Sequence, residues 1–333
     1  MLQSRRLRGG AAALLTIGIG LGLGAPVARA DNDDLVMQRL GSAINDSQGM
    51  PVDVVGDNQQ FRSLVSELGV VLAPRLLAPA DTIGFGGFQF SVDVGYTGIS
   101  NDEPYWRVLE GSKNPSSQTG VHGSSLMQTT GIFMRKGMWF PLPSFEIGAG
   151  VVHLSDSHLW SAQGYAKFAL HEGYHDLPIP SVAARGAVSR MMGSQDLDLT
   201  IASFDLSASK HLGIAGTMSI EPYLGWNLLI IVPRSEVVDK TPQTFGDPTM
   251  NFVFKDQADI TRNKLFGGFK LQYYVFALTV EASVALKGSS VDDRSGTDTP
   301  CSAITDPSQL SRCDATDQAG AQESFVISAG LDF

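Results

Sequence analysis

The sequence predicts an all-β chain: a closed antiparallel transmembrane β-barrel of about ten strands, within a range of roughly eight to fourteen, with a small helical N-terminal plug. Three observations lead there. Residues 276–287 alternate with period two, Phe276, Leu278, Val280, Ala282, Val284 and Leu286 against Ala277, Thr279, Glu281, Ser283, Ala285 and Lys287. Such a strand has one face for lipid and one for a polar lumen. The chain ends on a second stripe of the same kind, Phe325, Ile327, Ala329, Leu331 and Phe333. Charged residues are only 17% of the chain, against about a quarter in ordinary soluble domains, so charge is short while apolar bulk is not.

The first thirty residues read as a cleavable secretory signal. Arg5, Arg6 and Arg8 precede an apolar run from Ala11 to about Val27, and Ala28-Arg29-Ala30 stands before Asp31, the three-part pattern of such a leader. No Cys follows the run, which disfavours a lipoprotein, and no apolar pair follows Ser4-Arg5-Arg6, which disfavours a twin-arginine signal. The whole chain has a net charge of −10. Residues 1–30 hold four Arg and no acid, so the remainder has 20 basic against 34 acidic residues, a net −14, and nucleic acid is excluded as a partner. Cys301 and Cys313 share one polar stretch, where an oxidising compartment favours a local disulfide. Past the leader no run reaches 18 apolar residues, so a membrane helix is not expected.

The other strands follow from the same alternation. Phe88 to Thr97 sets Phe88, Phe90, Val92, Val94 and Tyr96 against Gln89, Ser91, Asp93, Gly95 and Thr97. Residues 145–151, 160–170 and 214–232 carry similar stripes; residues 126–137, 181–192, 196–210, 264–274 and 323–333 complete ten. Apolar parity switches between Ile201 and Phe204, which predicts a bulge there. With the first strand running outward, the inner turns include Pro141-Leu142-Pro143-Ser144 and Lys210-His211-Leu212-Gly213. The outer loops near 99–124, 233–260 and 289–322 are long, the asymmetry expected of bacterial barrels.

Residues 31–85 do not alternate, so the chain divides into a leader (1–30), an N-terminal periplasmic or plug segment (31–85) and a barrel (86–333). Phe61, Leu64, Val65, Leu68 and Val71 fall on one helical face, and Asp34 to Asn45 is a second candidate helix. The amphipathic helix is expected to plug the barrel or to lie beneath its periplasmic rim, because an apolar face must be covered.

Several constellations could carry chemistry. His171-Glu172-Gly173-Tyr174-His175 matches H-E-x-x-H, a zinc motif that needs a helix. Here it ends a strand and meets Pro178 and Pro180, so it reads as a polar turn and no metal is expected. His153-Leu154-Ser155-Asp156 resembles the His-x-Ser-Asn segment of outer-membrane phospholipases, which implies His153 as base and Ser155 as nucleophile; Asp156 stands where that motif has Asn. The inward charges Asp93, Glu146, Lys167, Arg185, Glu221, Lys270, Glu281 and Lys287 are expected to face the lumen and to pair across it. Val291-Asp292-Asp293-Arg294 could hold calcium but reads as a solvated loop. Tyr96, Trp106, Trp139, Phe140, Trp160, Tyr223, Trp226 and Tyr273 sit where interfacial girdles place aromatics.

The leader, N-terminal segment, alternating strands and terminal Phe333 resemble outer-membrane proteins of the long-chain fatty acid transporter superfamily. Leu77-Ala78-Pro79-Ala80 is similar to that family's Asn-Pro-Ala hatch motif, with Ala78 in place of Asn. The resemblance implies a hatch inside the barrel and passage of small or hydrophobic solutes across the outer membrane of a Gram-negative bacterium. No catalysis and no cofactor are expected on this reading. The expected partners are outer-membrane lipids, the barrel-assembly machinery, whose signal the terminal strand resembles, and a small hydrophobic solute. A structural or surface-binding barrel acting through its long outer loops is the second expectation, an outer-membrane lipid hydrolase the third.

Overall fold

The computed structural model describes residues 31–75, 77–112, 124–140, 144–172, 179–214, 216–242, 250–294 and 296–333. The expected leader, Pro141-Leu142-Pro143 and Gly173-Tyr174-His175 lie outside them. A 3-10 turn, Met37–Leu40, leads into a hairpin of β1 (Gly41–Asn45) and β2 (Pro51–Gly56), then α1 (Asn58–Val71). The region of the second candidate helix, 34–45, is therefore this 3-10 turn and β1. Wall strands follow as β3 (Phe88–Gly98), β4 (Leu126–Met138), β5 (Phe145–Leu154), β6 (Trp160–His171), β7 (Ser181–Met192) and β8 (Leu197–Ser209). The short β9 (Leu212–Ile214) precedes β10 (Met218–Ser235). A loop hairpin of β11 (Val238–Asp239) and β12 (Asn251–Phe252) comes before β13 (Ile260–Tyr273) and β14 (Phe276–Ala285). A second loop hairpin, β15 (Val291–Asp292) and β16 (Ala315–Thr316), leads to β17 (Gln322–Asp332).

Ten of these strands form one wall. Each pairs antiparallel with its sequence neighbour, β10 pairs with β13, and β17 pairs with β3 to close the ring, while β9 only extends one end of β10. Closure leaves no sheet edge, the condition for β-structure in lipid. Val92, Ile132, Ile147, Phe204, Leu224 and Ile327 point outward and are exposed, part of an apolar belt far larger than an aqueous surface tolerates. On the terminal strand Phe325, Ile327, Ala329 and Phe333 are exposed and Leu331 is half-buried. The expected fold class and strand number are those of the protein.

One local expectation is corrected. Strand β8 pairs with β7 and β10 in continuous register, with no bulge between Ile201 and Phe204. Leu197, Leu199 and Ile201 point inward and are buried, as are Ser203 and Asp205, while Phe204 and Leu206 point outward. The parity switch in the sequence is a change of lining: the upper lumen is apolar and the lower lumen polar.

Helix α1 is the reason. Asp57 caps its N-terminus by accepting the Gln60 N–H at 3.0 Å, satisfying one of the free donors of the first turn. Phe61, Leu64, Val65 and Leu68, one face at 3.6-residue spacing, are buried and share a core with Leu199, Ile201, Leu229 and Ile231 of the wall. Phe61 stacks on Phe254 with ring centres 4.3 Å apart. A Cβ on Gly69 would come within 2.5 Å of the Ile231 side chain, so the helix backbone lies against β10. The helix therefore sits at the long-loop mouth, among residues 99–112, 250–260 and 286–321, and not beneath the short-turn rim where one sequence alternative placed it.

Leu68→Ala should destabilise this cap by about 2–5 kcal/mol, because it removes buried methyl groups and leaves a cavity. Urea titration followed by the fluorescence of buried Trp106 checks it; an unchanged midpoint would contradict the packing described.

Candidate functional site

After α1 the chain runs down through the barrel as a linker, residues 72–87, and each step is held by the wall. The Leu72 carbonyl accepts from Ser189 Oγ at 2.8 Å, and the Arg75 N–H donates to Gln163 Oε1 at 3.0 Å. The Arg75 guanidinium ion-pairs with Asp93 and donates to Thr129, and its carbonyl accepts from Arg185 at 2.6 Å. Leu77 N–H donates to Glu281 at 3.1 Å, and Ala80 N–H to Ser209 Oγ at 3.1 Å. Lys167 Nζ donates to the Pro79 and Asp81 carbonyls at 3.1 and 2.9 Å. Ile83 N–H donates to Glu146 at 3.1 Å. Gly84 and Gly86, with φ of +75° and +84°, then turn the chain into β3, where Phe88 N–H meets the Phe333 carbonyl at 2.9 Å. An extended chain in a lumen has no ladder of its own, so side chains of the wall supply its partners.

Charges that hold this linker also hold each other. Glu146 faces Lys167 across the β5–β6 ladder, Arg185 faces Asp205 across β7–β8, and Glu221 faces Lys270 across β10–β13. Lys167 lies 3.3 Å from Glu146 and Arg185 2.6 Å from Asp205. Arg135 approaches Glu146 to 3.7 Å, and the Tyr165 hydroxyl donates to it at 2.7 Å. Lys270 pairs with Asp332 at 2.5 Å, Glu221 accepts from Ser209 at 2.9 Å, and Glu281 accepts from Tyr223 at 2.9 Å. Gly95 makes the room that Arg75 occupies: a Cβ there would stand 2.6 Å from its guanidinium. Cavities of about 30 and 20 Å³ remain along the linker; a larger one of about 340 Å³ opens at the short-turn end, lined by Asp81, Arg135, Glu221 and Lys270 among others.

At the other mouth, the buried Glu67 of α1 joins two loops to the helix. Its carboxylate accepts from Ser100 N–H at 3.0 Å, Tyr105 hydroxyl at 2.8 Å, Trp106 Nε1 at 2.7 Å and Gly320 N–H at 3.1 Å. Burial, then the Glu67 charge, pushes the Tyr105 phenol upward, so it stays a donor. Arg62 donates to the Ala258 and Ser290 carbonyls at 2.9 and 3.2 Å, and Arg262 links Ser66 to the Gly320 carbonyl at 2.9 and 2.8 Å. Cys301 and Cys313 form a disulfide in the third loop. Asp292 is spent on Lys255 and the Ala258 N–H, both at 3.1 Å.

Of the eight expected lumen charges, seven are buried inside the wall: Asp93, Glu146, Lys167, Arg185, Glu221, Lys270 and Glu281. Lys287 is corrected: β14 ends at Ala285 and Lys287 is exposed beyond it, because alternation in the sequence runs past the last paired residue. The sequence reading passed over Arg75, Asp205, Arg135 and Glu67. Continuous parity back from Phe204 and Leu206 would have turned Asp205 inward; Arg75 and Glu67 lie off the strands and carry no periodic signal. His153 Nε2 contacts the Ser157 carbonyl at 2.9 Å and its ring packs on Trp160 at 4.2 Å, so this pose does not aim it at Ser155. His171 lies on β6 and Glu172 accepts from Thr82 N–H at 3.1 Å, a strand end and not a metal-binding helix. Trp139 and Tyr273 are exposed near the short-turn end, whereas Trp106 is buried in the cap.

A closed ten-stranded wall with an apolar outer belt, short turns at one end and long loops at the other defines an outer-membrane type of β-barrel. No family model matches the chain, and no curated protein matches it. Solved structures similar to it include Ail, the attachment invasion locus protein of Yersinia pestis, at 10% identity and TM-score 0.26, covering 75% of this chain and 99% of that one. They also include the outer membrane protease OmpT of Escherichia coli, at 8% identity and TM-score 0.29, covering 76% and 99%. LpxR from Salmonella typhimurium matches at 9% identity and TM-score 0.30, covering 73% and 99%. The long-chain fatty acid transporter superfamily is not among the matches. The protease corrects one sequence expectation: absence of catalysis does not follow from the architecture.

Two outcomes test the cap. Glu67→Ala leaves four buried donors without an acceptor and should cost about 3 kcal/mol or more, read as a red shift of Trp106 emission and faster proteolysis near 99–112. His158 Nδ1 lies 2.6 Å from Asp34 Oδ2, and that hydrogen bond raises its pKa above 6.5. The pin between the N-terminal segment and the β5–β6 loop is thus complete below about pH 6.5 and weakens as pH rises through the higher folded value. Protection of residues 31–40 from protease should fall over that window, and His158→Ala should abolish the dependence.

Proposed function

We propose that this protein is a closed barrel that works at its outer mouth, presenting the parts of its long loops that pack on α1 as a binding surface. The observation that carries this is the filled mid-lumen: the linker occupies the axis, hydrogen-bonded to the wall from β3 round to β14, and the cavities beside Arg75 and Leu77 hold at most a water or so each, while the larger one beside Pro79 to Ile83 opens only at the short-turn end. Passage of a small or hydrophobic solute would require the linker to leave, which strips Asp93 of Arg75 and removes the linker backbone bonds of Glu281 and Lys167, leaving each only its wall partner, at a desolvation cost that is largest for Asp93. Lipid is the partner of the outer belt on this reading, and Phe325, Ile327, Ala329, Leu331 and Phe333 are the strand offered to the assembly machinery.

The loops support the assignment. Here Glu67, Arg62 and Arg262 fix three loops onto one helix and the Cys301–Cys313 bridge closes the third loop on itself, which lowers the ordering cost of binding. Full-length protein reconstituted in planar bilayers should show no stable ionic conductance and no liposome swelling with small sugars. Sustained single-channel conductance, or swelling, with the N-terminal segment intact would return the protein to the conduits.

A further inference from the structure

We infer that the barrel serves once as the export channel for its own N-terminal segment, which crosses the outer membrane through the lumen, folds outside, and is thereafter displayed on the cell surface. This rests on the sidedness of the barrel, long loops outward, and not on the binding role proposed above.

The two ends of the linker lie at opposite mouths. Asp33 N–H donates to the Asp156 carbonyl at 2.9 Å, and Leu35 bridges to Leu109, so the segment's first residues rest on the β5–β6 and β3–β4 loops. Lys240 Nζ donates to the Gln38 and Gly41 carbonyls at 2.7 and 2.9 Å, joining it to the β10–β13 loop. Ile83 and Gly87 are at the short-turn end: Ile83 N–H bonds Glu146, and the Gly87 carbonyl accepts from Gly137 at 3.0 Å. Between them the linker touches Gln163, Asp93, Arg185, Glu281 and Ser209, inward residues of β6, β3, β7, β14 and β8. A chain that bonds five strands on their inner face passes through the ring and not around it.

Length and composition fit a transit. From Leu72 to Gly84 an extended chain covers about 40 Å at roughly 3.3 Å per residue, more than the ~25 Å apolar height of such barrels. Pro74 and Pro79 keep this stretch from becoming helical. The cap packs α1, the β1–β2 hairpin and the 3-10 turn into one core with Trp106 and Phe252, whereas the lower lumen, filled by buried wall side chains bonded to the linker, holds a single stretch of chain. The cap has to cross unfolded. Closure by the β17–β3 pairing around a chain already inserted satisfies both facts, because the linker is covalently continuous with β3.

Single cysteines test the arrangement in intact cells with a membrane-impermeant maleimide. Gln48, at the exposed β1–β2 turn, and Tyr274, at the β13–β14 turn, are the two sites. Gln48→Cys should be labelled on intact cells to more than ten times the extent of Tyr274→Cys, which should react only after the outer membrane is permeabilised. Labelling of Gln48→Cys only after permeabilisation overturns the inference, whichever way Tyr274→Cys behaves. A double variant, Ala80→Cys with Ser209→Cys, reads the threading itself: an oxidation-dependent shift in gel mobility, reversed by reductant, is expected in the folded barrel. Failure to cross-link in a barrel that retains heat-modifiable migration also overturns it.

Discussion

Everything in this molecule depends on one obligation: a peptide chain inside a closed barrel carries backbone donors and acceptors that neither lipid nor bulk water can satisfy. The linker between α1 and β3 meets it with side chains of the wall, and the wall meets its own obligation with the linker. Asp93 is paired because Arg75 descends from the helix, and Lys167 has two carbonyls to donate to because Pro79 and Asp81 pass beside it. Neither half is a complete structure. The charged lumen of the lower barrel is thus the complement of a stretch of chain that carries only Arg75 and Asp81 but backbone polar groups along its length, and the glycine at position 95 is the space cut for its one guanidinium.

The upper lumen follows a different rule. There the occupant is a helix with an apolar face, so Leu199, Ile201, Leu229 and Ile231 turn inward, and the polar back of the helix, Arg62, Ser66 and Glu67, holds the loops. One element therefore satisfies a hydrophobic wall on one side and a ring of loop backbone on the other. The cost of burying Glu67 is offset by four donors, a full set for a carboxylate. Loops that would otherwise sample many conformations become part of a core.

The wall was legible in the sequence because period two survives wherever lipid lies on one side. Phe276 to Leu286 and Phe88 to Tyr96 read correctly for that reason, and the strand count came with them. Misreadings cluster where the inward face is not polar. Leu197, Leu199 and Ile201 looked like a lipid-facing stripe out of phase, and the phase error was absorbed as a bulge that β8 does not have. Lys287 looked inward because alternation outlasted the ladder. The amphipathic face of α1 was visible, but its mouth was not: nothing local to residues 58–71 says which rim they occupy, and the information lies in residues far away, such as Ser290, Asp317 and Gly320. Arg75, the charge nearest the centre of the design, sits in a stretch with no periodicity at all.

The passage of the linker through a ring closed by β17 and β3 has a consequence of a mechanical kind. With a folded cap at one end and the barrel's own first strand at the other, the chain is interlocked with the ring like a threaded bead with a knot on each side. If Glu67 or Arg75 loosens, the cap can lift but cannot diffuse away, and its return is unimolecular, governed by an effective concentration on the order of millimolar set by the tether. Reseating is then independent of how much protein the membrane holds.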